Sequence, residues 1–308
     1  MYLDTLDVYI LRELLGDTLQ QRLQNDPRIA LSQVARRLGT TEDTVRNRLM
    51  GMRRGGALRG IRMGVNPVLL GCQAWFVFFE ASTEERKNDV LRTVRDLPGV
   101  LWIISYLGTS AGFLFIGRGP RTLSEALSSL PSPSPGRSPV IVEHSTPPSS
   151  RPLTGTDRRI LAPLCHDPRL AFDRVAQETK VSERTVRRRW ERLVRDEALF
   201  VFPDMDLSKA EGIVMVSLAI FFTNRRAKER FEADLLPLVS SRFLMVPSRE
   251  PAYAAYILAL PNLSQVAELN SMAQDHPGVL RTSLRLITDV ENRIPSAMRT
   301  MLQCPIGP

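Results

Sequence analysis

Apolar residues recur at helical spacing in short bursts along this chain, and the clearest burst lies between Val181 and Leu199. Val186, Trp190 and Leu193 follow at intervals of four and three, which predicts a helix with one inward stripe, and Ser182 stands where an N-cap belongs. Arg184, Arg187, Arg188 and Arg192 fall off that stripe and load the outer face. Before it, Val175 and Ala176 mark a short helix over Arg174 to Lys180, joined to the next by a tight turn. Two such helices, the second capped by Ser and rich in Arg, are the sequence form of a helix-turn-helix that reads a DNA major groove.

The same pattern occurs earlier. NDPRIALSQVARRLGTTEDTVRNRL (Asn25 to Leu49) aligns without a gap on HDPRLAFDRVAQETKVSERTVRRRW (His166 to Trp190) at an offset of 141 residues. Asp26, Pro27, Arg28, Val34, Val45 and Arg48 recur as Asp167, Pro168, Arg169, Val175, Val186 and Arg189. The repetition reads as an internal duplication. Leu6, Ile10, Leu14 and Leu15 predict a first helix, matched in the second copy by LTGTDRRILAPL, where Asp157 and Ile160 fall 150 residues after Asp7 and Ile10. Copy one therefore carries extra residues around Asp17 to Gln24, expected as a longer helix or an added turn.

After each helix pair the period changes from helical to alternating. Trp75 to Ala81, Leu101 to Leu107, Phe113 to Gly117 and Val140 to Glu143 predict strands, with helices over Glu84 to Leu97 and Leu123 to Leu130. Copy two repeats the order over Ile213 to Phe222, Ala227 to Leu238, Arg242 to Val246, Ala252 to Leu260, Leu263 to Met272 and Leu280 to Ile287. This β-α-β-β-α-β order predicts a ferredoxin-like sandwich. The expected fold is α+β, with two winged helix-turn-helix domains at 1–64 and 153–205. Each is followed by a ferredoxin-like domain, at 65–144 and 206–290. A Pro/Ser linker separates the copies at 145–152, and a tail without clear periodicity fills 291–308.

Charge sharpens this picture. Net charge is +8, yet Arg28 to Arg62 holds nine Arg against two acids, and Arg169 to Arg195 nine basic residues against four, so the rest of the chain is acidic. A field confined to the two helix pairs fits a polyanion. The expected DNA contacts in copy one are Thr41, Thr44, Arg46, Asn47, Arg48, Arg53 and Arg54, together with Arg59 and Arg62. The last two sit on a β-wing over Leu58 to Met63 and would clamp phosphate. In copy two they are Ser182, Arg184, Thr185, Arg187, Arg188 and Arg192. Arg suits both roles, because its planar fork can bond guanine or phosphate bidentately. Trp190 is expected in the core.

Cys72, Cys165 and Cys304 are scattered and form no C-x-x-C, so neither a disulfide framework nor a metal site is signalled. The N-terminal stretch has early acids and no basic segment, and the longest apolar run, Gly212 to Phe222, is too short for a bilayer. A cytoplasmic location with no membrane partner is expected.

LDxxDxxIL, then the Asp-x-Arg turn, then [ST]-x-x-T-V-x-x-R, a wing and a β-α-β-β-α-β domain together resemble the Lrp/AsnC (feast/famine) transcriptional regulators. The resemblance runs from Leu3 to Glu143 and again from Leu153 to Ile287. It implies a sequence-specific regulator of double-stranded DNA acting as an intrachain pseudo-dimer, with further homo-oligomerisation. It also implies a small, amino-acid-like effector at the loop Gly108, Thr109 and Ser110. The aligned residues in copy two are Arg249, Glu250 and Pro251, without the glycine. No cofactor and no catalysis are expected. The alternative is a siroheme-decarboxylase-like enzyme, which resembles the same architecture and uses His and Arg near a tetrapyrrole carboxylate. The scattered positions of His144, His166 and His276 speak against that alternative.

Overall fold

The computed structural model describes residues 1–17, 22–23, 26–144, 152–239, 243–245 and 250–303, with side chains left out at 15–25 and 235–249. The Asp17–Gln24 insertion, the linker at 145–151, Arg249 and Cys304 therefore fall wholly or largely outside the described residues.

Helix α1 (Thr5–Leu15) is followed by the two-residue strands β1 (Gly16–Asp17) and β2 (Arg22–Leu23), then α2 (Leu31–Arg37) and α3 (Glu42–Arg54). Thr41 caps α3 by accepting from the Thr44 amide, while Val45, Leu49 and Met52 form its buried stripe. Strand β3 (Leu58–Val65) and a short 3₁₀ turn lead into β4 (Gln73–Glu80), α4 (Glu84–Asp96), β5 (Val100–Tyr106), β6 (Ser110–Gly117), α5 (Pro120–Ser128) and β7 (Val140–His144). A second helical set follows, α6 (Gly155–His166), α7 (Phe172–Thr179) and α8 (Glu183–Arg195). Thr154 and Asp157 close a reciprocal capping box on α6, and Ser182 caps α8. The turn between α7 and α8 holds Lys180 at φ 55, where the earlier turn has Gly39 at φ 63. Lysine thus takes a left-handed conformation that glycine adopts freely.

The chain then forms β8 (Leu199–Met205), β9 (Val214–Phe222), α9 (Arg225–Val239), β10 (Phe243–Met245), β11 (Tyr253–Leu260), α10 (Leu263–Asp275), β12 (Val279–Asn292) and α11 (Ile294–Gln303). Eight strands make one sheet in the order β10-β11-β9-β12-β5-β6-β4-β7. Each half has the strand order of a β-α-β-β-α-β sandwich. The halves join because β12 overruns its own half: Arg281–Leu286 pair with β9, and Asp289–Asn292 pair with β5.

Two expectations need correction. Leu58–Val65 is not a free wing, since β3 pairs antiparallel with β8 from Leu58↔Met205 to Val65↔Leu199, making a ribbon between the two parts of the chain. The tail is not aperiodic either. Ile294, Ala297, Met298 and Leu302 are buried on one side of α11, and Asn292 accepts from the Ile294 amide at 3.0 Å to start the helix. These residues share a core with Leu101 and Trp102 of β5 and with Ile160, Leu164 and Trp190 of α6 and α8.

Candidate functional site

Two surfaces carry chemistry. The first is the outer face of α8 and its counterpart α3. Trp190 is 4% exposed and packs with Val186 and Leu193, so the stripe faces inward as its spacing predicts. On the outer face, Arg184 and Arg188 are exposed and form no ion pair among the described residues. Arg187 is paired with Glu183 at 2.9 Å and lies over Phe172 at 5.2 Å. Arg192 bonds the fully buried carboxylate of Asp157 at 2.6 Å, which draws it toward its own core. Ser182 and Thr185 are engaged with each other at 2.9 Å.

On α3 the basic residues are more fully occupied. Arg46 is held by Glu42 and Asp43, and Arg48 bonds Asp4 at 2.7 Å and Asp7 at 3.3 Å. Thr41 and Thr44 bond each other at 2.8 Å. Asn47, Arg53 and Arg54 remain exposed. The ribbon arginines face acids of β8 and the residue after it: Arg59 lies 2.9 Å from Asp206, and Arg62 lies 3.1 Å from Asp204.

The two helical sets also brace each other through the repeated Asp-Pro-Arg turns. Arg28 donates to the Leu170 carbonyl and lies over the rings of Phe172 (4.1 Å) and Trp190 (5.2 Å). In return Arg169 donates to the carbonyls of Pro27 at 3.0 Å and Ile29 at 3.4 Å. Burial lowers the pKa of both guanidiniums, yet each stays charged and finds oxygen acceptors.

The loop of Gly108, Thr109 and Ser110 joins β5 to β6, with Gly108 at φ 79. Its carbonyls are already used. Buried Lys87 donates to Gly108 and, at 3.4 Å, to Tyr106, and Thr109 accepts from the Ala81 amide. Lys228, 141 residues on, donates at 3.0 Å to the carbonyls of Glu250 and Tyr253 in the matching loop. These lysines were legible only as two of four in an arginine-rich chain.

The second surface has no counterpart in the sequence reading. Between the open faces of the two half-sheets lies a cavity of about 410 Å³. Phe76 and Phe78 of β4 and Tyr106 of β5 line it from one half, and Ser217 and Phe221 of β9 with Tyr253 of β11 line it from the other. Arg281, Ser283 and Arg285 enter it from β12. Their spacing of two puts all three on one face of that strand. Arg285 is half-buried, lies 3.8 Å over the Phe78 ring, and makes no ion pair among the described residues. Burial lowers its pKa, an effect opposed by Tyr106, Tyr253 and Glu80. Arg281 sits 4.4 Å over Phe221. At the rim, Arg137 is paired with Glu80 at 3.0 Å. Burial pushes the pKa of the Tyr106 phenol up to about 12, against Ser217 and Arg285, which favour the phenolate. Two unpaired arginines stacked on aromatic faces inside a mostly apolar cavity are suited to a flat anion.

Comparison with known proteins matches one segment in sequence and the whole chain in fold. Residues 153–194, which span α6 to most of α8, match the AsnC-type helix-turn-helix domain family. No curated relative matches the chain in sequence. Among solved structures, the siroheme decarboxylase NirDL is similar over 97% of this chain and 97% of its own, at TM-score 0.56 and 14% identity. Its complex with an iron-uroporphyrin III analogue gives TM-score 0.55, 14% identity and 96% coverage of each chain. AsnC of E. coli aligns with 49% of this chain and 97% of its own at 20% identity and TM-score 0.31. At these identities the likeness is one of fold.

The expectation of a chain without catalysis is corrected by this likeness, because an enzyme shares the fold from end to end. That expectation rested on three scattered histidines, on Arg-rich recognition helices that an enzyme does not need, and on the lack of a catalytic signature elsewhere in the sequence. Positions along the chain could not reveal a cavity assembled from β4, β5, β9, β11 and β12. Among the described residues no helix is long and apolar enough to cross a membrane.

Proposed function

We propose that the chain is a decarboxylase-type enzyme that takes a carboxylated tetrapyrrole into the cavity between its half-sheets. The observation that carries this reading is Arg285, a half-buried cation without a carboxylate partner, aimed with Arg281 among aromatic rings. A buried charge left unpaired is costly, so such a residue makes sense when the ligand supplies the anion. Phe76, Phe78, Phe221 and Tyr253 offer ring faces to a planar macrocycle, and the arginines offer forks to its carboxylates. The end-to-end fold likeness to a siroheme decarboxylase supports the same reading.

In this account the chain is a tandem of two winged-helix units and two ferredoxin-like units related by the 141-residue offset. The cavity belongs to the pair and to neither unit alone. The test is an absorbance titration with iron uroporphyrin III, followed by analysis of the product for loss of carbon dioxide. Saturable binding that Arg285→Ala weakens by tenfold or more, roughly the 1.4 kcal/mol of a modest charge-assisted contact, is expected. Absence of binding by the unaltered chain overturns the reading.

A second reading is favoured by the AsnC-type match over residues 153–194: α8 binds duplex DNA through Arg184 and Arg188, two exposed cations of its outer face that form no ion pair among the described residues. Gel shifts across a salt series test it. Arg184→Ala with Arg188→Ala should weaken binding and flatten the salt slope, because each phosphate neutralised releases counterions. If α3 reads DNA as well, the site contains two unlike half-sites.

A further inference from the structure

We propose that Tyr106 is the acid that protonates the substrate carbon from which the carboxylate departs, an assignment that rests on the decarboxylation reading above. The balance of the step is simple. The bond between the side-chain carbon and its carboxylate breaks, carbon dioxide leaves, and the electron pair stays on carbon. The Tyr106 hydroxyl supplies the proton that makes the new C–H bond, and water returns one to the phenolate. No oxidant or reductant takes part.

Decarboxylation of this kind needs a cation to orient the leaving carboxylate and a proton donor on the same side of the substrate. Among the described residues that line the cavity, no histidine is present to act as that donor. Glu80 stands at the rim and is occupied by Arg137 at 3.0 Å. Tyr106 and Tyr253 remain. Tyr106 is only 2% exposed, lines the cavity together with Ser217, and its ring lies 5.6 Å from that of Phe78. Arg285 stacks on the other partner of that pair, Phe78, at 3.8 Å. Cation, ring and phenol thus share one corner of the cavity. Tyr253 is packed at 4.9 Å on Phe221, the ring that Arg281 covers at 4.4 Å, and is less buried than Tyr106.

The surroundings also suit the chemistry. A phenol is protonated at neutral pH and burial here raises its pKa further, so the donor is loaded before substrate enters. Arg285, close enough to favour the phenolate, steadies the charge that appears when the proton has left. The position 141 residues after Tyr106 is Pro247, so Tyr253, the tyrosine that the other half sends to the cavity, comes from a different place in the repeat.

The experiment compares the full chain with Tyr106→Phe and Tyr253→Phe in single-turnover decarboxylation of iron uroporphyrin III, with binding titrated separately. Tyr106→Phe keeps the ring that fills the core, so its melting temperature and dissociation constant should match the parent. Its rate should fall on the order of 10²- to 10⁴-fold, the usual contribution of a positioned acid. Ser217→Ala, which removes a neighbour that favours the phenolate, should give a smaller loss. A Tyr106→Phe variant that binds and turns over like the parent overturns the assignment, as does a loss confined to Tyr253→Phe. Binding without turnover by the unaltered chain, or no binding at all, instead overturns the decarboxylation reading on which the assignment rests.

Discussion

Trp190 and Asp157 show how much single positions in the second helical set contribute. The indole lies between Phe172 at 6.0 Å and the Arg28 guanidinium, with Val186 and Leu193 in the same core. Trp190→Ala leaves a cavity that the brace between the helical sets cannot close, at a cost of about 3 to 5 kcal/mol. Urea unfolding measures it, and a variant as stable as the parent would show that the ring is not core. Asp157 is a fully buried carboxylate. Burial alone would raise its pKa, but bonds from Thr154 and Arg192 outweigh burial and hold it below the usual 3.8. A carboxyl whose folded pKa is depressed stabilises the fold above its unfolded pKa, and that contribution is lost as pH falls through the folded value. Asp157→Asn should therefore destabilise most at neutral pH, with the gap to the parent closing below about pH 4. Asp7, at the matching place in α1, has the opposite sign. Burial and the neighbouring Asp4 raise it, so its charge costs stability as pH rises past 3.8.

At the scale of elements, the ribbon of β3 and β8 is the contact least able to accept change. A Cβ on Gly64 would lie 2.0 Å from the ring of Phe200, which itself packs edge-on to Phe202 at 5.4 Å. Gly64→Ala should cost about 1 to 3 kcal/mol by overpacking. A smaller residue at 200 should recover part of that, so a double-mutant cycle of Gly64→Ala with Phe200→Leu should be non-additive. Independent costs would mean that the two positions do not meet. This ribbon also marks where reading the sequence ran out. A helix with a clean stripe, such as Val186-Trp190-Leu193, was legible because the period is local, whereas Met52 of α3 was read as lying beyond its helix. Partners of an edge strand are not local, so Leu58–Val65 looked like a wing when its hydrogen bonds go to a segment about 140 residues away. Helix α11 was overlooked although Ile294, Ala297, Met298 and Leu302 keep helical spacing, because prolines at 295 and 305 suggested a loose end. Arg281, Ser283 and Arg285 alternate as any solvated strand face would, and nothing in that alternation says that Phe78 and Phe221 wait opposite.

For the molecule as a whole, the question is whether the halves of the chain are separable. One buried core draws Met63, Leu69 and Trp102 from before the linker and Leu161, Trp190, Leu199 and Met298 from after it. The sheet is continuous across β12 and β5, the ribbon pairs β3 with β8, and Arg28 and Arg169 exchange backbone contacts between the helical sets. Cutting the chain between 144 and 152 breaks no element of the described residues, but it leaves each fragment with an unpaired β5 or β12 edge and an exposed apolar face. Edges and faces of that kind aggregate or seek a partner. Fragments 1–144 and 152–308 expressed separately should therefore lack a cooperative melting transition. Co-expressed, they should assemble into a one-to-one complex with the melting behaviour of the intact chain, less the stability lost by making association bimolecular. Calorimetry with sedimentation decides the matter: two fragments that each melt cooperatively as monomers would show that the duplicated units fold alone, and that the cavity between them opens by separation rather than standing ready-made.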